Sequence, residues 1–135
     1  LEQLAFLIPR LIQHADTHPV VQIPKKEHYA VQKACDYIHD RAAEGITLTD
    51  IAEHVGLSRY YLLRVFREEI GMPPYAYLES VRISKAKQLL ESGLPFTGVA
   101  LELGFSDQSH FTNCFKRLTG VTPGQYVHTN SHSNR

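Results

Sequence analysis

One pattern occurs twice in this chain, and it narrows the possible folds more than any compositional total does. The stretches IAEHVGLSRYYLLRVFREEIG (residues 51–71) and VALELGFSDQSHFTNCFKRLTG (residues 99–120) share a plan. Each begins with a short apolar-patterned run, breaks at Gly56 or Gly104, and passes through a serine into a longer run that ends at Gly71 or Gly120. Val55-Gly56-Leu57-Ser58 aligns with Leu103-Gly104-Phe105-Ser106 at an offset of 48, whereas Phe66 aligns with Phe115, and Gly71 with Gly120, at 49. Pro74 and Tyr77 are answered in turn by Pro123 and Tyr126. Similarity this long is an internal duplication. Short helix, tight turn and longer helix make the plan of a helix-turn-helix.

Apolar spacing extends the reading to an all-α chain. A helix is predicted over 27–44, with Val31, Ala34, Cys35 and Ile38 as its inner stripe and Gly45 as its stop. Thr47-Leu48-Thr49-Asp50 resembles a capping box ahead of a helix over 48–55 that buries Leu48, Ile51, Ala52 and Val55. Gly56 supplies the left-handed backbone of the turn, and Ser58 caps a helix to residue 70. Leu62, Val65 and Phe66 point inward there, with Tyr61 at the edge and Tyr60, Leu63, Arg64 and Arg67 on the free side. Pro73-Pro74 opens a long helix over 74–91, which at ~1.5 Å per residue spans roughly 27 Å and acts as a rigid spacer. The second unit begins near Phe96 and buries Val99, Ala100 and Leu103. Its second helix, over 107–119, buries Phe111, Phe115 and Leu118, with Cys114 a further candidate. Gln108, Ser109, Thr112, Asn113 and Lys116 face the open side, and His110 lies at the border. A short helix over 123–128 closes the domain through Tyr126, leaving TNSHSNR as a polar tail over 129–135.

Upstream, Leu1, Leu4, Ile8 and Leu11, widened by Phe6, Leu7 and Ile12, predict a helix over 1–15 that bends or splits at Pro9. That helix either packs on a neighbouring domain or forms a dimer seam, and two heptads are too few to establish a coiled coil. Residues 16–26, DTHPVVQIPKK, hold two prolines and no helical period, so they read as a linker. His14 and His18 have no third ligand nearby and read as a solvated pair, and His128 and His132 read as part of a frayed, disordered end; no metal or other cofactor is expected. The chain opens on Leu1 rather than Met, which suits a piece of a longer protein.

The totals are nearly neutral about function. Lys and Arg number 14 and so do Asp and Glu. The distribution says more: residues 1–56 hold 5 basic groups against 8 acidic, and residues 57–120 hold 8 against 6. Those eight are Arg59, Arg64, Arg67, Arg82, Lys85, Lys87, Lys116 and Arg117, and local charge sets the field that a ligand meets. Cys35 and Cys114 form no CxxC pair, which suits a reduced, cytoplasmic setting, and no secretory or membrane-spanning run is visible. No HExxH, GxSxG, P-loop or GxGxxG motif occurs, so neither an enzyme nor catalytic residues are expected.

Over residues 31–127 the chain resembles the DNA-binding domain of AraC/XylS-type transcription regulators. The resemblance rests on IAEHVGLSRYYLLRVFREEIG, YLESVRISKAKQLL and, most specifically, ALELGFSDQSHFTNCFKRLTGVTPGQY. It implies about seven helices in two helix-turn-helix subdomains joined by a long central helix, with an N-terminal helical segment before them. Residues 1–26 then form the end of a sensor or dimerisation region with its linker, 27–128 the DNA-binding domain, and 129–135 a tail. It also implies double-stranded DNA and RNA polymerase as partners, a homodimer through the N-terminal region, and regulation of transcription in the bacterial nucleoid. Position by position, it places base-facing roles on Tyr60, Leu63 and Arg64, and on Gln108, Ser109, His110 and Asn113. Phosphate-facing roles fall on Arg59, Arg67, Thr112 and Lys116. Asn113 stands where arginine is frequent, Leu63 where a polar residue is frequent, and Pro95 and Gly98 replace residues that usually start the second unit's first helix.

The residue chemistry suits those roles. Arg64 can donate two parallel bonds to guanine, Gln108 and Asn113 can each pair with adenine, and Leu63 can touch a thymine methyl. Two such helices on one duplex face should stand about one helical turn apart, ~34 Å, on an asymmetric site. The alternative is a helical module that binds protein and leaves these faces merely solvated.

Overall fold

The computed structural model describes residues 24–133. The expected helix over 1–15, most of the linker, and the pair His14 and His18 lie outside the described residues. Seven helices, and no strand, occur among the described residues: α1 Lys25–Asp40, α2 Leu48–Val55, α3 Arg59–Ile70, α4 Pro74–Glu91, α5 Phe96–Glu102, α6 Gln108–Thr119 and α7 Pro123–Ser133. None of them is long and apolar enough to cross a membrane.

Two compact units divide these helices. Unit one holds α1, α2, α3 and the opening of α4 through Tyr77; unit two holds the connector Arg41–Gly45 together with the chain from Leu78 onward. The α1 stripe of Val31, Ala34 and Ile38 is fully buried in unit one, beside Ile51, Leu62 and Phe66. The core of unit two is built from Ala86, Leu90, Val99, Phe111 and Phe115. Each fully buried aromatic or branched side chain contributes about 1.5–3 kcal/mol. The duplication seen in the sequence recurs as packing. Tyr77 meets Phe66 edge-on at 5.6 Å and 76°, and Tyr126 meets Phe115 at 5.5 Å and 74°.

Several element boundaries differ from expectation. Helix α1 starts at Lys25, inside the expected linker, with the His28 N–H donating to the carbonyl of Pro24 at 3.0 Å. It ends at Asp40 rather than at residue 44, so Gly45 is not its stop. Beyond that end, Arg82 satisfies two connector carbonyls: its Nε donates to Ala42 O at 2.7 Å and its Nη2 donates to Glu44 O at 3.0 Å. Helix α7 runs to Ser133, five residues past the expected end at His128, because nothing after Gly124 breaks it. Leu48 and Val55 are half-buried rather than buried. Leu118 is not a core residue: it is 47% exposed, while Cys114 is buried in its place.

The change of offset in the repeat also has a location. Ser58 caps α3, but its counterpart Ser106 does not cap α6; the next residue, Asp107, does. The extra residue therefore sits in the second turn, which spans 103–107 where the first spans only 56–58.

Candidate nucleic-acid interface

In unit one, local hydrogen bonds set the start of each helix. The Asp50 N–H donates to Thr47 Oγ1 at 3.1 Å, and the Thr47 N–H donates to Asp50 Oδ2 at 2.9 Å, which completes the expected capping box. Gly56 closes α2 at φ 76°, in the left-handed region, and its N–H donates to Ala52 O. The Tyr61 N–H then donates to Ser58 Oγ at 3.2 Å, fixing the first turn of α3. With that register set, Leu62, Val65, Phe66, Glu69 and Ile70 fall on the buried side. Arg59, Tyr60, Arg64 and Arg67 fall on the open side, where Tyr60 is 80% exposed; Leu63 is half-buried between the two. The Arg64 Nε donates to Glu68 Oε1 at 3.3 Å along the same helix.

The back of α3 is tied to α1 by contacts that sequence reading missed. The Tyr61 hydroxyl donates to Glu27 Oε1 at 3.1 Å, a bond that raises the phenol pKa, and His28 Nδ1 pairs with the buried carboxylate of Glu69. A signal for Glu69 was present, since it follows Val65 and Phe66 by four and three residues and so lies on their buried stripe. No comparable signal marks Glu27 or His28.

Unit two is built differently. Pro95 occupies the N-cap of α5 and provides no side-chain hydrogen bond. Asp107 Oδ1 accepts from the His110 N–H at 2.7 Å and starts α6. Phe111, Cys114 and Phe115 are buried; Ser109, Asn113 and Lys116 are exposed; Gln108, His110 and Thr112 are half-buried. Gln108 Nε2 donates to Thr112 Oγ1 at 3.4 Å, while its Oε1 is buried without a hydrogen-bond partner. His110 Nδ1 lies 3.2 Å from Ser106 Oγ, and its ring stands edge-on to Phe105 at 5.2 Å.

Of the eight basic groups between residues 57 and 120, Arg82 is buried, and Arg117, 60% exposed, pairs with a buried acid. Arg117 Nη2 donates to both carboxylate oxygens of the buried Glu79 at 3.0 Å, and the Cys114 thiol lies 3.6 Å from the same carboxylate. Burial pushes the Cys114 thiol up to about 11, so it stays neutral there. Arg82 is buried and spends two of its donors on the connector carbonyls. The expectation that all eight groups shape the external field is thereby corrected for Arg82. Arg59, Arg64 and Arg67 on α3 and Lys116 and Arg117 on α6 are exposed cations, Arg117 paired with Glu79. Each unit thus presents one well-capped helix whose apolar side is buried and whose other side carries hydrogen-bonding groups of the kind that read base edges and phosphates.

Comparison with known proteins matches this geometry. A family model described as a helix-turn-helix domain matches residues 51–129. An HTH-type transcriptional regulator of Bacillus subtilis (strain 168), YbfI, is 40% identical over 110 residues, covering 81% of this chain and 40% of that protein. The arabinose operon regulatory protein of Escherichia coli (strain K12) is 37% identical over 98 residues, covering 71% of this chain and 34% of that protein. Among solved structures, the C-terminal domain of AraT, a response regulator from Geobacillus stearothermophilus, is similar with a TM-score of 0.71 and 34% identity, covering 74% of this chain and 84% of that one. The chain therefore spans 34–40% of the length of these two curated relatives.

Proposed function

This chain belongs to the AraC/XylS-type family of helix-turn-helix transcription regulators, and on that premise we propose that its two units read successive major grooves of one double-stranded DNA site. In unit one, Tyr60, Leu63 and Arg64 meet base edges and Arg59 and Arg67 meet phosphates. In unit two, Gln108, Ser109, His110 and Asn113 meet bases, and Thr112 and Lys116 meet phosphates. The observation that carries this reading is the free face of α3, where Tyr60, Arg64 and Arg67 lie exposed opposite the buried Leu62, Val65 and Phe66. A packed helix that keeps a row of cations and donors in water has no internal use for them, and guanine and phosphate are their natural partners.

Because the two helices carry different side chains, the site is asymmetric. RNA polymerase, and a second copy of the chain engaged through the region before residue 27, are the further partners proposed, on the strength of the family resemblance. Selecting bound sites from a random duplex pool and then footprinting the winner tests the central claim. Protection over two consecutive major-groove segments is expected, with affinity falling steeply between about 50 and 200 mM salt as counterions compete for the phosphates. Protection of a single groove, or binding indifferent to salt, would count against it.

A further inference from the structure

We propose that Arg82 is a positioning residue for base reading by α6, acting through Phe105 on His110. This inference rests on the reading that unit two binds DNA. Arg82 lies on α4, is buried, and holds the connector carbonyls of Ala42 and Glu44. The carbon of the same guanidinium stands 5.4 Å from the centroid of the Phe105 ring, within cation–π range. Phe105 in turn meets the edge of the His110 ring at 5.2 Å and 84°. Ser106, the next residue in the turn, holds His110 from its other ring atom, with Oγ 3.2 Å from Nδ1. A chain of direct contacts thus runs from the middle of α4 to a side chain in the first turn of the proposed recognition helix.

The turn itself is shaped to accept this support. A Cβ on Gly104 would lie 2.5 Å from Ala43 O and 3.1 Å from Arg82 Nη2, so only a glycine lets the connector and the guanidinium press against the backbone there. Unit one has nothing similar. A Cβ on Gly56 would meet nothing within 4 Å, and the counterpart of Phe105 is the half-buried Leu57. The need for support is local. The second turn is the longer of the two, and the helix before it starts at Pro95 without a side-chain cap. Arginine is suited to the task where lysine is not, because its planar fork serves two carbonyls while its charge stays within cation–π range of the ring.

Two substitutions in the full chain test the link. Arg82→Lys keeps the charge and loses the fork; Phe105→Leu copies unit one and removes the ring. The first readout needs no DNA: the His110 ring resonance in the free protein, with His54 on α2 as the internal reference. The second is discrimination by the selected duplex against single base-pair changes in each half. In Arg82→Lys the His110 resonance should move and that of His54 should not; Phe105→Leu, which also removes a ring current beside His110, is read by discrimination. Discrimination in the half read by α6 should fall from the roughly 5- to 150-fold typical of one mismatched pair toward unity, and the other half should keep its preference. An unmoved His110 overturns the proposal. So does a loss shared by both halves or a shift shared by His54, since Arg82 would then serve the fold at large. If Arg82→Lys fails to fold, Arg82→Gln, which keeps a planar donor and loses the fork and the charge, takes its place under the same two readouts. Native protein without any preference in the second half would sink the DNA reading of that unit, and the His110 resonance would still decide the positioning claim.

Discussion

Arg64 shows what a single side chain can be held to. It is exposed, and its one mapped bond is to Glu68 one turn along α3. Pairs of this kind contribute about 0.2–0.5 kcal/mol to a helix. Arg64→Ala should therefore leave the urea midpoint almost unchanged, while specific DNA affinity falls by about 1–3 kcal/mol if the guanidinium reads a guanine. Loss of stability in step with binding would show that the side chain serves the fold instead. Its outward face was legible in the sequence because helical register alone separates it from Val65 and Phe66. Leu118 was misread by the same rule. It shares a stripe with Phe111 and Phe115, but a stripe tells which side of a helix meets a core and not how far along the helix the core extends. Arg82 misled for a related reason: charge can be counted in a sequence, but whether a buried acceptor waits for it cannot.

At the scale of elements, the two turns look alike in sequence and differ in space. Gly56 and Gly104 both take positive φ, at 76° and 80°. Alanine in that conformation costs about 1–2 kcal/mol at either place. At Gly56 that is the whole expectation, because the space around it is open. At Gly104 the new methyl would meet the Ala43 carbonyl oxygen at 2.5 Å, which adds the roughly 1–3 kcal/mol of overpacking. Gly104→Ala should thus lower stability clearly more than Gly56→Ala in paired denaturant titrations. Equal losses would show that the connector yields freely. The caps at Thr47 and Ser58 were readable because they are made by residues within three positions of one another. The anchoring of the connector after α1 was not, because it depends on Arg82, 40 residues away from Ala42.

For the molecule as a whole, each unit hides one thiol. Burial pushes both Cys35 and Cys114 up to about 11 from the ordinary 9.0, and it raises the Tyr77 phenol as well. The folded state then binds more protons than the unfolded state in that interval. The stability these groups contribute is fully present below pH 9.0 and is lost as the pH rises to about 11. Urea midpoints measured from pH 8 to 11, as about the accessible range, should decline over its upper part, and less so in a Cys35→Ala, Cys114→Ala double variant. A decline of equal slope in the variant would assign the alkaline loss to other groups. The division of labour between sequence and structure follows from range. Helix existence, the duplication, the caps and the outward face of α3 were set by interactions within a few residues, and periodic spacing reports those directly. Which acceptors Arg82 and Arg117 meet, what holds the connector, and what steadies the second turn were decided only when α4, the connector and α6 came together in unit two, because the groups that settle them lie tens of residues apart and meet only through tertiary packing.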